Sequence, residues 1–309
     1  MKLPDVFSTY LLACTADGLS QSTINWYRSL LTPFCTDFQD HDIEAIKAND
    51  IRQYIVELQN RTVRYPDAPQ KPEQNGGLSE ASIAAHVRAL HSFWNWCVRE
   101  YDIHNPMANI RRQKNPAPKP KAISPSDFVR LFNATGDDDM GKRDRAILCF
   151  LADTGCRIGG LLGLQINDLV IDDRKAYVVE KGDLRRAVVF TSYTVQILQQ
   201  WLTVRESDAA TVFVSMTTGN PLSNSGVNQI LRRLKARAGV TGRVNPHSFR
   251  HNFAREYLRN GGDLATLAAL LGHSEISTTA AYYAVFSHDE LADFHEKFSP
   301  LRGMMEGTG

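Results

Sequence analysis

The feature that most constrains the fold is the stretch HNPMANIRRQKNPAPKPKAISPSD at 104–127, where prolines and cations alternate and no hydrophobic period survives. Proline lacks a backbone N–H and fixes its own torsion, so neither a helix nor an interior strand runs through such a segment. The hydrophobic patterns on its two sides must therefore close into separate cores. A chain of 309 residues fits this, because domains hold roughly 100 to 200 residues each. The expected organisation is a helical domain at 1–108, a basic Pro-rich linker at 109–124 and a second domain at 125–309.

The first part reads as about four helices. An opening segment covers 6–13, and a second, following Leu19-Ser20, carries Ile24, Tyr27, Leu31 and Phe34 at three- and four-residue steps on one face. Ser20 or Ser22 is placed to cap it. Asp50 is placed to cap a third helix bearing Ile51, Tyr54, Ile55 and Leu58, and a fourth runs from Leu78-Ser79 to Val98. Between these last two, 61–77 holds three prolines and a Gly pair and reads as a long loop.

Beyond Ser124 the pattern is mixed. Helical periods cover 125–132, 143–151, 194–201, 227–238, 247–258, 264–271 and 277–286, while AYVVE and RRAVVF flank Lys181-Gly182 as a β-hairpin. The expected class is mainly α, with an α+β second domain carrying one small sheet.

Composition excludes several classes. A hydrophobic fraction of 43% and a charged fraction of 22% argue against disorder or a fibre. The longest apolar run, 146–152, is far shorter than the roughly 20 residues of a membrane span. The start, MKLPDVFSTYLLACTADG, has acidic residues at 5 and 17 that speak against a signal peptide, which makes cytoplasmic residence the expectation. Cys14, Cys35, Cys97, Cys149 and Cys156 include no Cys-x-x-Cys pair and read as reduced core residues, so no metal or other cofactor is implied. The formal net charge of +1 is uninformative, because nucleic-acid binding depends on local basic surfaces. Such a surface is expected at ILRRLKARAGVTGR, where Arg232, Arg233, Lys235 and Arg243 gather near one helix; residues adjacent on a helix diverge, so only one face would meet phosphates. In the linker, Arg112, Lys119 and Lys121 suit an extended contact with a polyanion.

In the second part, four clusters follow in order: TGCRIGGLLGL with Arg157, EKGDLRR with Lys181, NPHSFRHNF with His247 and Arg250, and LLGHSEISTTAAYY with His273 and, nine residues later, Tyr282. Each alone is uninformative, since single Arg, Lys and Tyr residues are usually surface amphipaths. Together they resemble the tyrosine recombinase and phage integrase family, whose catalytic residues are Arg, Lys, His-x-x-Arg, His or Trp, and Tyr in this order. The resemblance extends to GLSQSTINWYRSLL and LSEASIAAHVRALHSFWNWCVRE, similar to the family's core-binding helices, with 61–77 as an insertion.

The resemblance implies a SAM-like helical core-binding domain, a catalytic domain of the DNA breaking-rejoining fold, and site-specific recombination. Arg157 and Arg250 would neutralise the scissile phosphate, a role that suits a planar, permanently charged, bidentate donor. Tyr282 would be the nucleophile, His247 its proton acceptor, Lys181 the general acid and His273 a phosphate donor, giving a 3′-phosphotyrosyl intermediate without metal or ATP. The step from His273 selects Tyr282 over the adjacent Tyr283. Thr23, Arg28, His86 and Arg88 become candidate DNA contacts. The expected partners are double-stranded DNA with a specific core site and three further copies of the chain on two DNA segments, with a monomer in solution. Leu291, Phe294 and Phe298 form an apolar stripe that fits either docking on a neighbouring copy or packing within the chain.

One position departs from the family pattern. Gly160 stands where an acidic residue usually follows the first arginine by three. A slowed or inactive DNA-binding member of the fold is thus one alternative. A relaxing enzyme of the type IB topoisomerase kind is another, disfavoured by the integrase-like first part. The DNA sequence recognised and the biological task are not legible in the chain.

Overall fold

The computed structural model describes residues 1–64, 74–111, 122–180 and 184–272. The expected helix at 277–286, the stripe at Leu291, Phe294 and Phe298, and Arg112, Lys119, Lys121, Lys181, His273 and Tyr282 lie outside these residues. The chain divides into two compact units, 1–118 and 119–309.

In the first unit the helices are α1 (Leu3–Ala16), α2 (Gln21–Asp37), α3 (Ala48–Asn60) and α4 (Glu80–Tyr101). Ser20 caps α2, its hydroxyl accepting from the Thr23 N–H at 3.3 Å, and Ser79 caps α4 in the same way. Asp50 differs from the expectation. It sits in the first turn of α3 and accepts from the Lys47 N–H at 2.7 Å, so the helix starts earlier than expected and the carboxylate faces back to its entrance. The buried faces close on Phe34, Tyr54, Phe93 and Trp94. The 61–77 segment is also more ordered at its base than a plain loop. Strands β1 (Val63–Arg64) and β2 (Gln74–Asn75) pair antiparallel, closed by a 2.7 Å bond from the Gly76 N–H to the Thr62 carbonyl.

The second unit runs α5 (Pro125–Asn133), α6 (Asp139–Thr154), α7 (Ile158–Gly163), β3 (Leu169–Val170), β4 (Lys175–Glu180), β5 (Leu184–Val189), α8 (Ser192–Leu202), α9 (Asn224–Arg237), α10 (Pro246–Arg259) and α11 (Leu264–Leu271). Helix α6 is the axial element: its run from Ala146 to Leu151 is buried on every side, so the longest apolar stretch is core. The strands form one antiparallel sheet in the order β3-β4-β5, and the β4–β5 ladder continues to the Glu180–Leu184 pair, leaving only 181–183 to connect them. The hairpin thus lies where the sequence places it. The third strand and the short, glycine-rich α7 are not visible in the periodicity, because two- and six-residue elements give no repeat to detect. A separate apolar cluster of Ala254, Leu258, Leu267 and Leu271 joins α10 to α11 as a helical hairpin.

Candidate active site and nucleic-acid interface

The site is organised by the start of α10. Asn245 caps the helix, accepting from the Ser248 N–H at 2.9 Å, while the Ser248 hydroxyl accepts from the Asn245 N–H at 2.9 Å. Pro246 follows at the first helical position, where its missing N–H leaves no bond unmade. This entry projects His247 outward from the first turn, exposed to solvent. Arg250, three residues on, is turned inward and only 5% exposed.

Arg250 holds two turns of the chain together. Its Nη1 donates to the Gly155 carbonyl and its Nη2 to the Leu271 carbonyl, both at 2.8 Å. Gly155 ends α6 with φ +58°, and a Cβ there would stand 2.6 Å from the Phe253 ring, so both backbone sign and space require glycine. Two residues later Arg157, half-buried, occupies the N-cap position of α7. Leu271 ends α11, and Gly272 with φ +67° turns the chain out of it. One guanidinium therefore fastens the turn before Arg157 and the turn before the position of His273 to the helix that carries His247. Gly160 is buried on α7.

Two residues beyond the expected set belong to this neighbourhood. His251 lies one turn after His247; burial lowers its pKa first, and the positive charges of His247, Arg250 and Arg243 lower it further. Arg186 on β5 donates from Nη1 to the Leu270 carbonyl at 2.7 Å. The motif letters R-H and R-R were the available signals, but neither says which way a side chain turns.

Helix α9 sorts the expected basic residues by face. Arg232, Lys235 and Arg243 line one groove of about 540 Å³ with Ser225, Asn228, Gln229 and Asn245. Arg233 points the other way and ion-pairs with Asp144 of α6, which is 1% exposed. Asp144 also accepts from Arg143 Nε at 3.0 Å and Nη2 at 2.6 Å. The buried carboxylate of Asp144 thus orients Arg233 toward α6, while the arginine side chain itself stays 41% exposed.

In the first unit, Arg28 and Arg88 are exposed. Thr23 shares a 2.9 Å bond with the Ser20 hydroxyl at the start of α2. Arg88 lines an open groove with Trp26, Asn95 and Arg99. His86, by contrast, is only 8% exposed and its Nδ1 lies 3.0 Å from the Leu30 carbonyl, so it ties α4 to α2. Burial lowers its pKa. Among the described residues, no group of three His, Cys, Asp or Glu is arranged to hold a metal ion. No described helix is long and apolar enough to cross a membrane.

Residues 121–288 match the Phage integrase family, and residues 7–101 match the Phage integrase, N-terminal SAM-like domain. The chain belongs to the phage integrase family. It is a tyrosine recombinase, and an enzyme by that membership. It is 32% identical over 264 residues to tyrosine recombinase XerC of Histophilus somni (strain 2336), covering 84% of this chain and 87% of the relative. It is 32% identical to that of Haemophilus influenzae (strain ATCC 51907 / DSM 11121 / KW20 / Rd) over 84% of this chain and 88% of the relative. Among solved structures, XerA recombinase is 28% identical, with a TM-score of 0.53 over 96% of this chain and 99% of that one. The Tn1549 transposon integrase, in a complex with transposon right end DNA, superposes with a TM-score of 0.75 at 18% identity over 96% and 99% of the two chains, a likeness of fold. In this integrase-family chain the described part of the motif set converges on Arg250.

Proposed function

We propose that the protein is a site-specific recombinase that cleaves duplex DNA through Tyr282 and rejoins the strand to a second duplex. The observation that carries the reading is the Arg250 clamp, which draws the Arg157 turn, the His247 turn and the end of α11 to one point. A phosphodiester in attack gains negative charge on its non-bridging oxygens, and preorganised guanidinium donors stabilise it by several kcal/mol. Carbonyl bonds at Gly155 and Leu271 fix the plane of Arg250, so it need not reorganise when the phosphorus becomes five-coordinate.

The chemistry balances without a metal or nucleotide. The Tyr282 oxygen forms a bond to phosphorus as its proton passes to His247; the bond from phosphorus to the 5′ oxygen breaks, and Lys181 supplies that oxygen with a proton. A phenol with pKa about 10 needs such a base near neutrality. Arg157, Arg250 and His273 hold the phosphate. The 3′-phosphotyrosyl bond conserves the energy of the original linkage, and a 5′ hydroxyl from another duplex reverses the step.

DNA is gripped from both units. Arg232, Lys235 and Arg243 take backbone phosphates while Asn228 and Gln229 face base edges. Thr23, Arg28 and Arg88 serve the same purpose on the helical domain at 1–108, and Arg112, Lys119 and Lys121 in the 109–124 linker follow the backbone. Four copies assemble on two core sites from monomers in solution, and the protein works in the cytoplasm on nucleoid DNA. A nicked suicide substrate tests the reading: the chain should accumulate as a covalent DNA adduct, and Tyr282→Phe should form none. An adduct that persists in Tyr282→Phe refutes the assignment.

A further inference from the structure

Arg186 is absent from the set of residues that contact the phosphate, yet it bridges the two elements that lead to Lys181 and His273. On β5 it stands opposite Val178, whose side chain is fully buried, and the ladder continues without interruption from this pair to Glu180–Leu184, where 181–183 begins. Strand pairing passes any displacement at Arg186 on to the mouth of that connection. The opposite end of the bridge is the last turn of α11. Arg186 Nη1 donates to the Leu270 carbonyl at 2.7 Å, and its Cδ lies so close to Gly272 that a Cβ there would stand 2.7 Å away. His273 is the next residue in the chain.

The contact is well suited to hold a fixed register. The final carbonyls of a helix have no intrahelical partner and carry partial negative charge, so a guanidinium is a favourable cap. Arg186 takes Leu270 and Arg250 takes Leu271, so two arginines from different elements grip consecutive carbonyls. One pair before the end of the ladder the hairpin has a second anchor: Arg185 pairs with Asp168 at 2.7 Å and lies 4.7 Å from the Tyr177 ring centre. From Asp168 through β4 and β5 to α11 and on to Gly155, the chain of fixed contacts joins the hairpin to the phosphate site.

We infer that Arg186 is a positioning residue for the general acid: it sets the β4–β5 hairpin against the α11 terminus so that Lys181 reaches the leaving 5′ oxygen. The inference rests on the proposed role of Lys181. Proton donation needs hydrogen-bond distance, and a misplacement of about 1 Å lowers a rate by about 10²-fold. Arg186→Ala should therefore slow cleavage of an ordinary phosphodiester by about that factor while binding duplex as tightly as the unaltered chain.

The decisive measurement compares this substrate with one whose scissile 5′ bridging oxygen is replaced by sulfur. A thiolate leaves without a proton, so loss of the general acid ceases to matter, whereas loss of phosphate binding still does. Arg186→Ala and Lys181→Ala are expected to regain most of their cleavage rate on the sulfur substrate, and Arg250→Lys to regain none. If Lys181→Ala recovers and Arg186→Ala stays equally slow, the inference is overturned and the role of Lys181 stands. If Lys181→Ala fails to recover, the general-acid reading falls and the inference with it. Arg186→Lys, which keeps the aliphatic stem against Gly272 and a single donor, carries the same comparison should the alanine variant misfold, with a smaller loss and the same recovery expected.

Discussion

Arg250 and Gly155, 95 residues apart in the chain, are joined by a 2.8 Å bond from Nη1 to the carbonyl oxygen. The bond makes the arginine proposed to hold the scissile phosphate part of the framework. Lysine carries the charge but offers a single point of donation where the fork spans Gly155 and Leu271. Arg250→Lys should therefore reduce covalent adduct formation by about 10²-fold or more and also loosen the turns at 155–157 and 270–272, which amide hydrogen exchange reads directly. Loss of activity with unchanged exchange at both turns would remove the framework role.

The faces of α9 make opposite predictions for neighbouring arginines. Removing Arg232, Lys235 or Arg243 should lower the slope of log affinity against log salt by about one for each phosphate left without its cation. Arg233→Ala should leave the slope unchanged and instead lower thermal stability, by about 1–2 kcal/mol, since Arg143 still pairs with Asp144 in its absence. DNA titrations at several salt concentrations, alongside thermal unfolding, separate the two behaviours. A changed slope for Arg233→Ala would return it to the interface.

Gly160 occupies the third position of α7, three residues after Arg157 at the N-cap position, where a carboxylate lies in the favourable field of the helix N-terminus. Gly160→Asp is expected to raise the rate of adduct formation about two- to fivefold, corresponding to a helix-terminus interaction of about 0.3–1 kcal/mol. Suicide-substrate kinetics of the two proteins settle it, and an equal or lower rate would show that this chain orients Arg157 without an acid.

His86 gives the first unit a pH dependence. Burial holds its pKa below the usual imidazole value, so the folded state favours the neutral ring. The stability this confers is present above the unfolded value, about 6.5, and is lost as pH falls through it toward the folded value. Thermal unfolding should therefore move to lower temperature on acidification across that window, and the shift should shrink in His86→Asn. An unaltered shift in the variant would assign the dependence to other groups.

The cysteines are expected to be inert. Burial pushes the Cys35, Cys97 and Cys149 thiols up to about 12, and only thiolates react readily. An aromatic disulfide reagent should label these three only after denaturant is added; rapid labelling of the native protein would show that the cores open.

The sequence by itself determined the division into two parts, nearly every long helix, the hairpin around 181–183 and the order of the six motif residues. Each of these rests on local signals: prolines that stop helices, periods long enough to count, and a motif whose letters keep their order. Facing could not be read, because it depends on what packs across the gap. Only the tertiary structure placed His86 against Leu30, paired Arg233 with Asp144, and turned Arg186 and Arg250 to carbonyls at the end of α11. A basic run looks uniform in sequence. A buried carboxylate on another helix decides which of its members is held in an ion pair and which line the open groove.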